Sequence, residues 1–528
     1  MKKRKVVLVG IAGSHKAFSL SLYNLKSFAF ARTDLKNNWD IEVVQLPLIT
    51  DPDPTEVSEL ASKILEQRPE LVGLSCYIWN IQFFAELGKI LRKKDPAIKL
   101  LYGGPEMARD WVVEGRFDDY AMDFCVSGEG ELTFTEVLSE LQATVPDFGK
   151  IHGLSFRQSD SEKFQVNPKR TAFKNLMEVP SPYLNGIVDD ELFSRENLEA
   201  NLETQRGCTL RCSYCIYHKD MDKIAYSQIE RTLEEVSYVT SRGVKSIRFV
   251  DANFSSDLNH AKTIMRGLIE RKIESKLMFE LIPGFIDEEL ARLFDSYNRL
   301  HDRNEITLGV GVQTIHLPSL QLIRRAISMD RFETTFSLLQ KYQIYAKIDL
   351  IIGMPGESIV EIEKTLEYFM DKLKGSHSHL LCCHLMRGLP GTELLEIARK
   401  HQMEFSSRYD PHEFYESPDL PRKDLVKTLR RTALIFRLVN HSGWADREFI
   451  FENSGQLTNI HDAYYATRDR LKLSNLQLID RMTEALLKEL PPSSYFVQED
   501  FPHAETWWWT RSKWEIDHDW IMNFFGRQ

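Results

Sequence analysis

Three cysteines at a C-x3-C-x2-C spacing place the strongest constraint on this 528-residue chain. They are Cys208, Cys212 and Cys215, and they follow a short strand-like run and Gly207. Four cysteines usually close an iron–sulfur cluster, so three leave one iron with an open coordination position. An open position is where a metal centre does chemistry instead of supporting a fold. The alternative is a structural zinc site with His218 as the fourth ligand.

The spacing of these cysteines, with Tyr214 before the last of them, resembles the cluster loop of radical S-adenosylmethionine (SAM) enzymes. The resemblance implies a [4Fe-4S] cluster whose remaining iron binds the amino and carboxylate groups of SAM. In that family, an electron from the cluster cleaves SAM to a 5′-deoxyadenosyl radical.

Length and charge narrow the class of protein. The length predicts two or three domains. A net charge of −10 argues against a nucleic-acid-binding surface. The apolar run Val6–Val9 is too short for a signal sequence or a membrane span. An odd count of seven cysteines without a secretory signal favours reduced thiols. We therefore expect a cytoplasmic protein without a nucleic-acid or membrane partner.

The N-terminal region, about 1–145, alternates short apolar runs with helical stretches and predicts a doubly wound parallel sheet. Ligands of such sheets bind outside the carboxyl ends of the strands. No G-x-G-x-x-G motif follows the first strand, so a dinucleotide is not indicated. The candidate binding residues at the predicted strand ends are Gly13, Ser14, Ser75, Tyr77, Trp79, Asn80, Gly103, Gly104, Pro105, Glu106, Gly128, Glu129 and Gly130.

This arrangement is similar to the cobalamin-binding domain that precedes many radical SAM domains. The Gly-Gly-Pro loop at 103–105 and the Gly-Glu-Gly-Glu loop at 128–131 are the motifs that carry the resemblance. The Asp-x-His-x-x-Gly signature of a cobalt-ligating histidine is absent, and His15 lacks that context. The resemblance implies that Tyr77, Trp79 or Asn80 covers the lower face of cobalamin. Ordinary packing of these side chains at a strand end is the alternative.

Residues 146–195 are predicted to be a connector, with a hairpin followed by a proline-containing segment. From about 196 to 410 the alternation resumes with six strand–helix units, which resemble the partial (β/α)6 barrel of radical SAM enzymes. Active sites of such barrels lie at the carboxyl ends of the strands. The candidate SAM-binding residues there are Tyr214, Asp251, Asn253, Gln313, Arg325 and Gly353.

The resemblance assigns roles to several of these residues. Asp251 and Asn253 would contact the SAM amino group, since carboxylate and amide oxygens accept from an ammonium. Arg325 would pair with the SAM carboxylate, and its neighbour Arg324 is an equal candidate. Gly353 would let the adenine lie against the backbone.

The roles of three further side chains remain open. Cys382 and Cys383 lie on the sixth predicted strand of the barrel, where alternation turns one of them inward. An inward thiol would either quench or relay a radical or simply be a small buried residue. His384 is a candidate proton donor or acceptor.

Residues 411–528 have a mainly helical pattern and end in an aromatic-rich segment that includes 507–514, Trp520, Phe524 and Phe525. These rings either stack on a planar substrate or plug the barrel mouth.

The function that the resemblance implies is that of a cobalamin-dependent radical SAM enzyme. It would methylate an unactivated carbon of a small-molecule or peptide natural product, with electrons from a reductant such as flavodoxin or ferredoxin. One alternative uses the same cofactors for ring closure, ring contraction or oxidation. The other is a cofactor-binding sensor without turnover.

Overall fold

The computed structural model of the chain describes residues 3–14, 16–47, 54–158, 163–219, 221, 223–300, 305–325, 327–376, 379–406, 412–439, 454–489 and 518–528. His15 and the aromatic segment 507–514 lie outside the described residues.

The N-terminal part is one sheet with helices on both faces. Its strands are β1 (Arg4–Ile11), β2 (Trp39–Leu46), β3 (Leu71–Ser75), β4 (Lys99–Gly103), β5 (Phe124–Val126), β6 (Leu154–Arg157) and β7 (Phe164–Val166). Its helices are α1 (Leu20–Phe30), α2 (Thr33–Asn38), α3 (Pro54–Glu66), α4 (Ile81–Lys94), α5 (Arg109–Val113) and α6 (Gly130–Gln142). The strand order is β2-β1-β3-β4-β5-β6-β7, and β1 to β5 pair in parallel. The predicted doubly wound sheet is confirmed.

The central strand β1 explains why the sheet is covered on both sides. Val6 and Leu8 point into one hydrophobic core, whereas Val7 and Val9 point into the other. All four side chains are buried. A continuous apolar run is typical of a parallel strand with helices on both faces.

The first sheet continues beyond residue 145, where we expected a connector to begin. The hairpin of β6 and β7 pairs antiparallel to β5 and extends the sheet. Without this hairpin, β5 would be an edge with unpaired backbone groups. The sequence predicts the hairpin but not its attachment, since that pairing is a tertiary contact.

The central part contains a second sheet of six parallel strands in the order β15-β14-β13-β12-β11-β8. The strands of this part are β8 (Glu199–Leu202), β9 (Gln205–Arg206), β10 (Ala225–Tyr226), β11 (Ser246–Phe249), β12 (Lys276–Leu281), β13 (Ile306–Gln313), β14 (Tyr345–Ile352), β15 (His379–Leu385), β16 (Glu404–Phe405) and β17 (Phe414–Glu416). The helices are α7 (Asp190–Phe193), α8 (Ile229–Ser241), α9 (Leu258–Glu270), α10 (Glu288–Leu300), α11 (Leu317–Leu322), α12 (Met329–Lys341), α13 (Ile359–Leu373) and α14 (Leu394–Lys400). The six strand–helix units of the predicted partial barrel are confirmed.

The middle of β14 carries apolar side chains on its outer face and charged ones on its inner face. Ile348 and Leu350 are buried in the core between sheet and helices, whereas Lys347 and Asp349 alternate with them on the other face. Period-two alternation places residues of opposite character on the two faces of the sheet. Strand β14 therefore brings charged groups to the interior of the barrel.

The register of β15 on β14 settles which cysteine points inward. Cys382 pairs with Asp349, and Cys383 pairs with Leu350. Paired residues of parallel strands share a face, so Cys382 lies on the inner face and Cys383 in the outer core. Cys382 packs there against Phe436 from the C-terminal region.

The predicted helical C-terminal region is confirmed for its described residues. Its helices are α15 (Arg422–Val439), Ser454–Leu471, Asn475–Glu489 and His518–Arg527. Phe524 and Phe525 are buried in the main hydrophobic core. Among the described residues, no helix has the length and apolarity needed to cross a bilayer.

Candidate active site

The three-cysteine loop is closed at its base by two short strands that pair with each other. β9 and β10 pair antiparallel through Gln205 with Tyr226 and Arg206 with Ala225. Gly207 follows β9 with φ +99°, a conformation that favours glycine. The loop therefore begins and ends at a fixed point beyond the carboxyl end of β8.

The thiols of the loop lie near one another. Cys212 is buried, and Cys208 and Cys215 are half-buried. Burial raises the pKa of Cys215 to about 11, and it also raises the pKa of Cys208. The neighbouring Cys212 thiol raises both further. Nearby cations or a bound metal would favour their thiolate forms.

The donor set fits an iron–sulfur cluster better than a zinc ion. The Nε2 atom of His218 lies 2.9 Å from the Cys212 carbonyl oxygen, so this ring atom is already engaged. Within the described ranges, no three His, Cys, Asp or Glu side chains converge closely enough to hold one metal ion. Cysteines of a cluster bind different irons, so they need not converge on one point.

Arg325 lies directly beside the cysteines. Its Nη1 donates to Cys212 Sγ at 3.5 Å and to the Tyr214 hydroxyl at 3.1 Å, while Nη2 donates to the Gly311 carbonyl. The guanidinium charge lowers the pKa of the Cys208 and Cys215 thiols, against the larger effect of burial. Arg324 instead pairs with Glu393 at the exposed side of the loop. The structure thus separates two arginines that the sequence could not distinguish.

Asp251 lies beneath the cluster loop and is 1% exposed. Its Oδ1 accepts from the backbone N–H groups of Thr204 at 2.8 Å and Gln205 at 3.0 Å. Its Oδ2 accepts from the Thr204 hydroxyl at 2.7 Å. Burial raises the pKa of Asp251 to about 7, although these hydrogen bonds oppose the shift. This geometry gives Asp251 a role in holding the start of the loop, and its expected contact with the SAM amino group stays a prediction.

Three buried polar atoms of the predicted SAM-binding residues have no hydrogen-bond partner among the described residues. They are Asn253 Nδ2, Gln313 Oε1 and Arg325 Nε. Gln313 also adopts φ +77° next to an irregularity in the pairing of β13. Buried polar groups are normally paired, so unpaired donors and acceptors mark a place where a polar ligand fits. These atoms fit SAM, which carries donors and acceptors of its own.

Gly353 faces Phe414 on the side where a Cβ atom would stand, and its expected contact with adenine stays a prediction. It has φ +87°, and a Cβ atom there would overlap the ring of Phe414 from β17. The missing side chain therefore makes room for a residue of the chain itself. The sequence could not reveal this contact because the two positions are 61 residues apart.

The carboxyl end of the first sheet carries a pair of stacked aromatic rings. Tyr77 and Trp79 lie with ring centroids 4.5 Å apart at an angle of 15°. The Trp79 indole covers Gly13 and donates to the Ile11 carbonyl at 2.9 Å. The two rings therefore pack on each other and against the end of β1, at the edge where a sheet of this kind binds its ligand.

Several predicted cobalamin contacts are instead engaged with the protein. Both amide atoms of Asn80 are bonded to the backbone of its own turn, to Tyr77 N at 2.7 Å and Ser75 O at 3.0 Å. The buried Glu106 carboxylate pairs with His412 at 2.7 Å. A side chain at Gly104 would meet the Cys76 carbonyl oxygen at 2.5 Å.

The other candidates at this edge stay accessible in part. Pro105 is exposed, and Gly128 has φ +83° with open space beside it. The backbone at Gly103 and Gly130 borders the same edge, as does Ser14, whose hydroxyl accepts from Ala17 N at 3.1 Å. Glu129, the first carboxylate of the Gly-Glu-Gly-Glu loop, is engaged by Arg206, as described below.

Tyr217 is a site residue that the sequence reasoning missed. It follows the last cysteine by two positions and its side chain is 55% exposed, yet burial among surrounding groups raises its pKa. The groups whose charges act on the Tyr217 hydroxyl are Cys215, Glu280, Tyr77 and Arg248. They come from the cluster loop, the barrel and the first sheet, so Tyr217 lies near all three.

Asp349, His384 and Lys347 form a polar group on the inner face of the barrel. His384 Nε2 lies 2.8 Å from Asp349 Oδ1, and Lys347 Nζ lies 3.6 Å from Asp349 Oδ2. Burial would raise the pKa of Asp349, but Lys347 and His384 together hold it below its usual range. His384 therefore points to the inner face of the barrel, toward Asp349.

The fold and the site define the class: this is an α/β protein with two cofactor sites. One lies at the ligand edge of the parallel sheet, and the other lies at the three-cysteine loop of the partial barrel. The Radical SAM superfamily model matches residues 202–369, and the B12 binding domain model matches residues 33–138. The chain belongs to the radical SAM proteins with an N-terminal B12-binding domain, and its cofactors are a [4Fe-4S] cluster, SAM and cobalamin.

Two relatives are methyltransferases. The cobalamin-dependent radical SAM methyltransferase TokK of Streptomyces tokunonensis is 28% identical over 315 residues, which are 57% of this chain and 44% of TokK. The 2-(S-pantetheinyl)-carbapenam-3-carboxylate methyltransferase of Streptantibioticus cattleyicolor is 28% identical over 319 residues, with the same two shares. This chain thus aligns with less than half the length of either relative.

Solved structures share the fold. The cobalamin-dependent SAM radical enzyme OxsB, with aqua-cobalamin and SAM bound, has a TM-score of 0.66 at 14% identity and covers 100% of this chain and 80% of its own. The radical SAM methyltransferase TsrM from Kitasatospora setae, with cobalamin and a [4Fe-4S] cluster bound, has a TM-score of 0.59 at 18% identity, over 77% and 80% of the chains.

Proposed function

We propose that the protein transfers a methyl group to an unactivated carbon of a polar small-molecule or peptide substrate. When bound, the cluster with SAM supplies a hydrogen-abstracting radical, and methylcobalamin supplies the methyl group. The methyltransferase relatives support this reaction type. We expect electrons to come from a low-potential protein such as flavodoxin or ferredoxin.

The observation that carries the proposal is the position of Tyr217. It stands on the cluster loop next to Cys215, and it lies within electrostatic reach of both Tyr77 and Glu280. A carbon radical is short-lived, so its methyl donor must be aligned before the radical forms. The closeness of the cluster loop, the barrel and the first sheet to one another at Tyr217 supports such an alignment.

The barrel interior supplies groups that would hold a polar substrate. Glu280 reaches over Gly309, which has no side chain to block it. The Glu280 carboxylate has no hydrogen-bond or ion-pair partner among the described residues. Arg248 is paired with Glu199 at 2.8 Å. Glu280 is therefore the side chain that we expect to orient the substrate through a hydrogen-bond donor or cationic group.

Asp349 and His384 form the second polar feature of this interior. Their 2.8 Å contact holds the imidazole in one orientation. In that orientation His384 can donate a hydrogen bond to the substrate or hold a proton. Phe436 and Cys382 pack against each other on the same inner face, and this apolar contact limits the access of water to the pair.

The experiment that tests methyl transfer does not need the substrate. Anaerobically purified holoprotein is incubated with trideuteromethyl SAM and a titanium(III) citrate reductant, and the corrinoid is analysed by mass spectrometry. We expect labelled methylcobalamin together with S-adenosylhomocysteine, in excess over a control with free cobalamin and no protein. Formation of 5′-deoxyadenosine without either product would contradict the proposal and favour the non-methylating radical reaction. If neither S-adenosylhomocysteine nor 5′-deoxyadenosine is released, the result would favour a cofactor-binding sensor without turnover.

A further inference from the structure

Arg206 binds three carboxylates at the junction of the two sheets. Its Nη1 lies 2.9 Å from Glu129 Oε1, its Nη2 lies 2.7 Å from Glu131 Oε1, and its Nε lies 2.8 Å from Glu203 Oε1. The four side chains are buried or largely buried, with Arg206 at 13% exposed. Each of the three guanidinium nitrogens of Arg206 therefore binds a different carboxylate.

The partners of Arg206 come from both cofactor domains. Glu129 and Glu131 flank Gly130 at the start of α6 and belong to the Gly-Glu-Gly-Glu loop at the ligand edge of the first sheet. Glu203 follows β8 of the barrel. Arg206 itself ends β9, two residues before the first cysteine. One guanidinium therefore joins the ligand edge of one domain to the base of the cluster loop of the other.

The arrangement uses a property that only arginine has. The guanidinium presents its N–H groups in one rigid plane, which allows three acceptors to be bound in fixed directions. Glu129 is held from its other side as well, since its Oε2 accepts from Phe173 N at 2.6 Å. Charge-assisted hydrogen bonds with low exposure are short and directional, so they fix orientation as well as contact.

We infer that Arg206 is a positioning residue that docks the cobalamin-binding domain onto the cluster loop and thereby sets the orientation of the two cofactor sites. The Gly-Glu-Gly-Glu loop then has two tasks. Its glycine backbone borders the cobalamin edge, while its two glutamates hold the neighbouring domain. This inference depends on the two cofactor sites and not on the proposed methyl transfer, so the two stand or fall separately.

The test compares Arg206→Lys and Glu129→Gln with the wild-type holoprotein by hydrogen–deuterium exchange. Lysine keeps the charge but cannot present three N–H groups in a plane. We expect exchange to rise about tenfold for each charge-assisted hydrogen bond lost, only in peptides that cover 127–131 and 203–209. Exchange in the buried strand β1 should not change, which separates undocking from general destabilisation.

Arg431→Lys is the matched control. Arg431 is a buried arginine that binds Asp480 at 2.7 and 2.6 Å and also Glu363, but these groups join the barrel to the C-terminal helices. This substitution disturbs a comparable ion-pair group without touching the first sheet. It should leave exchange at 127–131 unchanged.

A second measurement reports the relative placement of the cofactors directly. Pulsed electron paramagnetic resonance measures the dipolar interaction between Co(II) cobalamin and the reduced cluster. Arg206→Lys and Glu129→Gln should broaden the distance distribution while iron and corrinoid contents stay at wild-type levels. An unchanged distribution in both variants, or a rise in exchange restricted to 203–209, would overturn the inference and leave Arg206 as a support of the cluster loop alone.

Discussion

The carboxylate of Asp251 either holds the start of the cluster loop or contacts the SAM amino group, and two substitutions separate these roles. Asp251→Ala removes the acceptor of three donors, the N–H and hydroxyl of Thr204 and the N–H of Gln205. Asp251→Asn keeps both N–H groups paired through its amide oxygen, and its NH2 group donates to the Thr204 hydroxyl oxygen, so only the hydroxyl proton loses its acceptor.

The magnitude follows from the number of donors left unpaired. A buried donor without an acceptor costs roughly 1–2 kcal/mol, so three cost about 3–6 kcal/mol in Asp251→Ala. This loss acts locally, on the segment that leads into Cys208. Burial raises the pKa of Asp251 to about 7, so a neutral amide resembles a form that the protein already holds near neutral pH. Asp251→Asn should therefore be tolerated.

The assay measures iron content, SAM affinity and 5′-deoxyadenosine formation in the two variants under anaerobic conditions. We expect Asp251→Ala to lose iron and activity together, and Asp251→Asn to keep iron content and SAM affinity close to wild type. If Asp251 contacts the SAM ammonium, loss of its charge in Asp251→Asn should weaken SAM binding about tenfold or more while iron stays bound. That result would refute a purely supporting role.

Three further predictions address the cluster, the fifth strand end and a buried carboxyl. Cys212→Ala should abolish SAM cleavage and lower iron and sulfide while corrinoid content is kept, and loss of all three together would contradict independent cofactor sites. Gly353→Ala should destabilise the protein in urea by about 1–3 kcal/mol, because φ is +87° and the new methyl group overlaps Phe414; Gly375→Ala, at φ +70° with open space around it, is the control without overlap and should lose less. Burial raises the pKa of Glu357 to about 8, so the folded chain keeps a proton that the unfolded chain releases, and stability should fall by about 1.4 kcal/mol per pH unit between roughly pH 5 and 8. Glu357→Gln should lower the pH slope of stability in urea unfolding by about 1.4 kcal/mol per pH unit while Asp251 keeps its own contribution, and an equal slope in the variant would contradict the assignment.

Local patterns in the sequence identify the cofactor class and the architecture. The cysteine spacing depends only on neighbouring residues, as does the strand–helix alternation that gives the two parallel sheets. The burial of β1 on both faces follows from its continuous apolar run. These features are encoded within short windows, so no tertiary information is needed to read them.

The roles of individual polar residues depend on partners far away in the chain. Glu129 and Glu106 follow strand ends as cobalamin-binding residues would, yet their carboxylates bind Arg206 and His412. The spacing of Arg324 and Arg325 gives no reason to prefer either, whereas the fold turns only Arg325 toward Cys212.

What the sequence alone determined is therefore the kind of chemistry and the scaffold, through the three cysteines and the two alternating patterns. Only the tertiary structure decided which polar side chains meet, among them Arg325 with Cys212 and His384 with Asp349, and which ones join the two domains. The physical reason is that a hydrogen bond or ion pair forms between atoms that the fold brings within about 3 Å, whatever their separation in sequence.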